Sequence, residues 1–211
     1  MEPKYLYVML SRTPTGMGKI IRVFTRSSHN HVSLTLDDSF RRFVSFARYA
    51  VDTPLAGGYI QESAERFLCG GAEVPVRIFR VEITEEKAQQ LITLFARAGD
   101  RSTGLIYDSL AALLSTLHIR THIPGAYTCL SFASKVLGIP FRSLQELANH
   151  LAPWEIFRGD FRTIVQDGHD RSDPYFTPRG FFRGTADTAA HFGRLFCRLT
   201  RICQYKDSLE L

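Results

Sequence analysis

Two stretches of this chain carry residue types that could do chemistry together. The first is Tyr127-Thr128-Cys129-Leu130-Ser131-Phe132-Ala133-Ser134-Lys135-Val136-Leu137-Gly138, which has the pattern of a helix with a cysteine in its first turn. Leu130, Ala133, Val136 and Leu137 recur at helical spacing, Gly138 suits the position just past a helix end, and Pro140 stops it. A thiol at that place meets the positive end of the helix dipole and the free N–H groups of the first turn. Both favour the thiolate, the nucleophilic form. The plainer reading is a small buried hydrophobe, which is what a lone cysteine among apolar residues commonly is. The second stretch is Ser28-His29-Asn30-His31-Val32-Ser33-Leu34-Thr35-Leu36-Asp37. Nucleophilic catalysis by cysteine needs a base within hydrogen-bond reach. Of the seven histidines, His31 is best placed, because it opens an alternating run at a rigid strand end. The plainer reading of His31 is a solvated residue at a strand edge.

The elements around these stretches follow from periodicity and turn chemistry. Residues 4–11 read as a buried strand, apolar and aromatic throughout. Residues 13–18 are turn-rich, and residues 19–26 fit a short amphipathic helix. From His31 to Asp37 the pattern alternates, with Val32, Leu34 and Leu36 on one face and His31, Ser33, Thr35 and Asp37 on the other. A turn at 37–39 returns the chain through a strand over Arg42–Arg48, which sets His31 opposite Ala47 to Tyr49. Residues 52–59 read as a glycine-containing loop, and residues 74–83 as a further strand. Thr84 caps a helix whose buried stripe is Ala88, Leu91, Ile92 and Phe95 and which ends at Gly99. Residues 104–118 read as helix, 121–127 as loop, and Ser143 opens another helix that buries Leu144, Leu147 and Leu151. From Phe157 the composition turns to Arg, Asp, Gly and Pro, read as loops, followed by a helix over 185–203. That helix carries an apolar stripe (Phe192, Leu195, Phe196, Leu199, Ile202) and a basic one (Arg194, Arg198, Arg201). The expected arrangement packs the apolar stripe on the domain with the arginines in water. Contact with an anionic membrane surface through 185–203 is the alternative.

Composition bounds the function classes. A chain of 211 residues, 45% hydrophobic, suits one sizeable core and excludes a disordered protein. The net charge of +5 rests on 21 arginines against 5 lysines, scattered rather than clustered, and no nucleic-acid-binding motif is present, so no nucleic-acid partner is expected. Met1–Lys4 leads straight into Tyr5–Leu10, which reads as a core strand rather than a signal peptide, and a cytoplasmic location is expected. Cys69, Cys129, Cys197 and Cys203 form no C-x-x-C pair and are expected as reduced thiols. His29-x-His31 lacks partners at ligand spacing, so neither metal nor cofactor is expected.

A histidine followed by Val-Ser-Leu on an early strand, with Tyr-x-Cys-x-x-Phe opening a later helix, resembles the circularly permuted papain-like cysteine enzymes. These are the permuted relatives of NlpC-type amidases, a group that includes lecithin:retinol acyltransferase. The Phe46-Ala47-Arg48 strand end and Gly57-Gly58-Tyr59-Ile60-Gln61-Glu62 resemble an uncharacterised bacterial branch that carries Tyr-Ser-Phe-Gly-Arg and then Gly-Gly-Phe. Where that branch has Ser-Glu-Phe after the cysteine, this chain has Leu130-Ser131-Phe132. The resemblance covers about residues 4–156. It implies an α+β, permuted papain-like fold: a small antiparallel β-sheet packed against helices that include the Cys129 helix. It implies two regions, the papain-like domain over 1–156 and a C-terminal extension over 157–211 with the amphipathic basic helix. It implies Cys129 as nucleophile, His31 as general base, and a third polar group that orients the histidine. Ser45 is the candidate for that third role, with Arg48 and Tyr49 also in range.

The expected function is that of a cysteine hydrolase, an amidase or peptidase, acting by acyl transfer on a small amide- or ester-containing substrate. Cys129 would attack the carbonyl, and water or an acceptor amine or alcohol would release the thioester. The alternatives are a non-catalytic binding or scaffold domain that keeps the fold, and a lipid acyltransferase at a membrane surface. The substrate and oligomeric state are not written in the sequence.

Overall fold

The computed structural model describes residues 3–12, 28–53, 55–68, 73–114, 123–165, 173–200 and 209. The helix expected over 19–26 lies outside these residues. The described chain is a mixed α+β structure built on a six-stranded antiparallel sheet. Its strands are β1 (Lys4–Ser11), β2 (His31–Thr35), β3 (Arg42–Arg48), β4 (Gly57–Ser63), β5 (Pro75–Ile83) and β8 (Glu155–Asp160), in the spatial order β4-β3-β2-β1-β5-β8. A short parallel pair, β6 (Ile106–Tyr107) with β7 (Ala126–Tyr127), stands apart from it. The helices are α1 (Ala64–Leu68), α2 (Glu85–Gly99), α3 (Ser109–Leu114), α4 (Cys129–Leu137), α5 (Leu144–His150) and α6 (Phe181–Leu199).

Both faces of the sheet are covered, which explains the unbroken apolar run of β1. Its even residues Leu6, Val8 and Leu10 join Val32, Leu34 and Phe46 under α2, α4 and α5. Its odd residues Tyr7 and Met9 join Phe43, Phe67, Ile78 and Phe161 on the opposite side. α4 packs across β2 and β3 through Phe132, Ala133 and Val136. α2 is capped by Thr84 as expected, but it buries Ala88, Leu91, Leu94 and Ala98 and leaves Ile92 exposed.

Four expectations change. The stretch 52–59, read as loop, closes into a strand from Gly57, because the two glycines permit a backbone approach that side chains would prevent. A Cβ on Gly57 would lie 2.3 Å from the Ala47 carbonyl oxygen. Within 104–118 the described helix covers only Ser109–Leu114, with β6 before it. The boundary at 156/157 falls inside β8, which pairs with β5 from Pro75↔Asp160 to Phe79↔Glu155, so the sheet runs across the proposed domain border. The chain beyond it is tied in as well. Asp173 accepts hydrogen bonds from the Ser63 backbone and hydroxyl (3.2 and 2.8 Å), and Asp52 accepts from the backbone N–H groups of Arg179 and Gly180 (2.8 and 3.1 Å). Cys129 is a free thiol, whereas Cys197 is disulfide-bonded, a departure from four reduced thiols.

α6 docks, but not by its expected face. Leu195 packs with Ile106 and Ile123, His191 is fully buried, and Arg198 is buried, donating to the carbonyl oxygens of Pro124, Gly125 and Gly104 (3.2, 3.1 and 2.6 Å). Phe192, Phe196 and Leu199 point outward instead. The loop carbonyls offer a guanidinium fork hydrogen bonds that water would otherwise supply, and at about 100° per residue the docked face is turned roughly a sixth of the circumference from the expected one.

Gly57→Ala should lower stability by roughly 1–3 kcal/mol through backbone overpacking. Thermal unfolding followed by circular dichroism would register this as a clear drop in Tm; an unchanged Tm would mean that β4 adjusts freely.

Candidate functional site

The N-terminus of α4 is fixed by local sequence. Thr128 is the N-cap: its Oγ1 accepts from the Ser131 N–H (3.1 Å), and the Ser131 hydroxyl oxygen accepts in return from the Thr128 N–H (2.8 Å). Gly138 ends the helix in the left-handed region at φ 72°. Cys129 is therefore the first residue of a well-capped helix, half-buried, with first-turn N–H groups that helix geometry leaves without intrahelical acceptors. Position 131, where the resembling branch carries Glu, is the third residue of α4, and Ser131 performs the capping there.

His31 is the first residue of β2, and its side chain is 13% exposed. Its Nε2 lies 2.9 and 3.1 Å from the two carboxylate oxygens of Glu62, near the end of β4. Cys129 is hydrogen-bonded to the same imidazole. Glu62 is 1% exposed and has two further partners: the Ser33 hydroxyl donates to Oε2 (2.5 Å), and Arg66 Nε of α1 lies 3.4 Å from Oε1.

Burial alone would push the His31 imidazole toward its neutral form. The Glu62 carboxylate, the hydrogen bonds to Cys129 and Glu62 and the charge of Cys129 outweigh it, and the pKa is raised well above the ordinary 6.5. Burial likewise opposes ionisation of Glu62. His31, Arg66 and Ser33 outweigh that and hold the carboxyl well below its ordinary range. The arrangement is thus a buried carboxylate, an imidazole that favours its protonated form and a thiol at a helix N-terminus. An imidazolium beside a sulfur favours the thiolate, and a carboxylate beyond it fixes tautomer and orientation.

Cys129 and His31 come together as expected; Ser45 does not join them. Ser45 sits on β3, fully buried, and its hydroxyl has no hydrogen-bond partner among the described residues. Glu62 holds the place assigned to it. Glu62 and His31 belong to strands on either side of β3, so their contact must span two interstrand spacings, about 9–10 Å. Phe43, Ser45 and Ala47 are the side chains of β3 on that face; Phe43 stands opposite Glu62 itself, and Ser45 and Ala47, the two that follow, are small. The other candidates are engaged elsewhere: Arg48 donates to the Tyr175 hydroxyl (2.8 Å), and the Tyr49 ring lies under Arg179. Glu62 was missed because the stretch leading into it, 52–59, reads as loop and no element is expected between it and the strand at 74–83. The available signal was a carboxylate alternating with Ile60 on an inward face, four residues before an arginine.

Arg66 is itself held. Its Nη2 donates to the Arg48 carbonyl (2.9 Å), and its guanidinium lies 3.9 Å over the Tyr175 ring. Residues beyond 156 therefore contribute to the charge balance of the site. No protein-family model, curated protein or solved structure matches the chain.

The raised His31 pKa contributes stability that is fully present below 6.5 and is lost as pH rises through the folded-state value. The lowered Glu62 pKa contributes stability present above 4.5 and lost as pH falls through its folded-state value. Glu62→Gln removes the charge that outweighs burial at His31. Titration of the His31 ring protons by NMR should show an imidazolium through neutral pH in the wild type and a pKa at or below 6.5 in the variant. An unshifted His31 would show that Glu62 does not set its charge.

Proposed function

We propose that the chain is a cysteine hydrolase of the permuted papain-like kind, acting by acyl transfer with Cys129 as nucleophile, His31 as general acid–base and Glu62 as the residue that orients and charges His31. The observation that carries this reading is the imidazole itself, which has a buried carboxylate on Nε2 and interacts with the Cys129 side chain as well. Each group then has a step. The Cys129 thiolate attacks an amide or ester carbonyl, and the oxyanion forms against the first-turn N–H groups of α4, including that of Cys129. His31 gives its proton to the leaving amine or alcohol, and the thioester remains. Neutral His31 then takes a proton from water, the hydroxide attacks the thioester carbonyl, and the acid departs as the thiolate is restored. An acceptor amine or alcohol in place of that water would make the same site an acyltransferase.

The departure at Ser131 does not weaken the site, because that position serves the helix cap rather than the imidazole. Tyr5–Leu10, which prompted the cytoplasmic reading, lies within β1, and among the described residues no helix is long and apolar enough to cross a membrane. The cytoplasm remains the proposed location, although the Cys197 disulfide pulls toward an oxidising compartment.

Alkylation of Cys129 by iodoacetamide at neutral pH, read by peptide mass spectrometry, tests the reading. It should be fast in the folded protein and at least about tenfold slower in His31→Ala and in the isosteric Glu62→Gln. Ser45→Ala should leave it unchanged. An activated ester should leave its acyl group on Cys129 and on no other residue. A Cys129 that is no faster than in unfolded protein, or is indifferent to His31 and Glu62, would sink the enzyme reading and leave a binding domain.

A further inference from the structure

α6 buries its polar residues and exposes its largest apolar ones. Phe181, Phe182, Phe196 and Leu199 are 81, 87, 63 and 46% exposed, and Phe192 lies beside them. At about 100° per residue, half of the circumference of α6 carries no charged side chain at all. That half is bordered on one side by the docked face and on the other by Arg183 and Arg194, both exposed. The helix's one carboxylate, Asp187, is tied to Arg179 (2.8 Å) and lies toward the docked side. A monomeric surface rarely carries so many phenylalanines on one stripe without a partner.

We infer that α6 is a membrane-surface docking element, lying along an anionic bilayer with its phenylalanine face in the headgroup–acyl boundary. The face is the outer side of a single helix, and its aromatic side chains stand out from it, Phe181 and Phe182 meeting edge to face (5.6 Å). A bilayer accepts such projections without a matching groove, whereas a protein partner must supply one. On α6 itself the charges that border the apolar half are arginines, which complement anionic headgroups. At 19 residues the helix is about 28 Å long and lies in the interface plane rather than across the bilayer. Its docked face holds β6 and β7, and β7 runs directly into Cys129, so the surface would lie on the side of the protein from which the thiol is positioned. The inference stands independently of the chemistry proposed for Cys129.

Flotation of the full-length protein with vesicles of phosphatidylcholine containing phosphatidylglycerol, against phosphatidylcholine alone, tests this, with size-exclusion chromatography of the same samples. The expected result is flotation with the anionic vesicles, weakened by high salt. Phe181→Ser/Phe182→Ser and Phe196→Ser should each reduce partitioning roughly tenfold. Because these side chains are exposed, circular dichroism of the variants should match the wild type. No flotation by folded wild-type protein overturns the inference. So does flotation that the phenylalanine variants leave unchanged, and so does a wild-type dimer that those variants split and that does not float, since the face would then belong to a second copy. Cys129→Ser should float as the wild type does, which keeps this result separate from the fate of the enzyme reading.

Discussion

A carboxylate removed from water must be paired, and the site is arranged around that requirement at Glu62. The carboxylate is 1% exposed and is met by an imidazole, a hydroxyl and a guanidinium, from His31 and Ser33 on β2 and Arg66 on α1. Desolvating a lone carboxylate costs several kcal/mol, and its attraction to partners offsets this only with good geometry. The three partners therefore restrain one another. The sheet cannot slip by one residue without turning His31 and Ser33 to the opposite face and leaving Glu62 buried alone. The same charge that makes the register strict keeps His31 in its imidazolium form. In this fold the constraint on structure and the preparation for chemistry are one interaction.

β3 shows what this requires of residues that do no chemistry. Between Glu62 and His31 lies a whole strand; on that face Phe43 stands opposite Glu62, and the two side chains that follow it, Ser45 and Ala47, are small. The unpartnered Ser45 hydroxyl is what a size requirement would leave behind: the position tolerates a small polar atom without employing it. A hydroxyl close in sequence to the expected site looked like the orienting group, yet orientation here comes from one strand farther away. Sequence distance along a hairpin measures neighbours across one strand spacing, and long side chains reach two.

The elements that hold Cys129 and His31 were legible because each is set by local rules. α4 announces itself by its apolar spacing, by Gly138 and by a threonine before the cysteine. β2 does so by strict alternation, and its placement of His31 follows from the turn at Asp37. β4 was hidden because Gly57 and Gly58 look like loop residues until Ala47 is known to press against them. Without the strand, Glu62 has no face and no reason to be a partner of His31. α6 was misread for a different reason. Hydrophobicity identifies which face is apolar, but the face that docks is the one whose groups find complements. The carbonyls of Gly104, Pro124 and Gly125 are invisible to any helical wheel.

The C-terminal chain is consequently a working part of the same structure. β8 extends the sheet, and Asp173 ties the segment after it to the end of β4. Tyr175 lies against both Arg48 and Arg66. Arg66 is a mobile side chain in principle, with several rotamers available one turn after Glu62. It is confined by three contacts at once: the aromatic face of Tyr175, the Arg48 carbonyl and the Glu62 carboxylate. Without the ring, a guanidinium pays its own entropy to stay beside the carboxylate, and less of the positive charge that keeps Glu62 ionised would be present at any moment. The charge on His31 depends on Glu62, so the protonation of His31 rests in part on an aromatic residue more than a hundred positions away, in a segment that composition alone would set aside as an appendage.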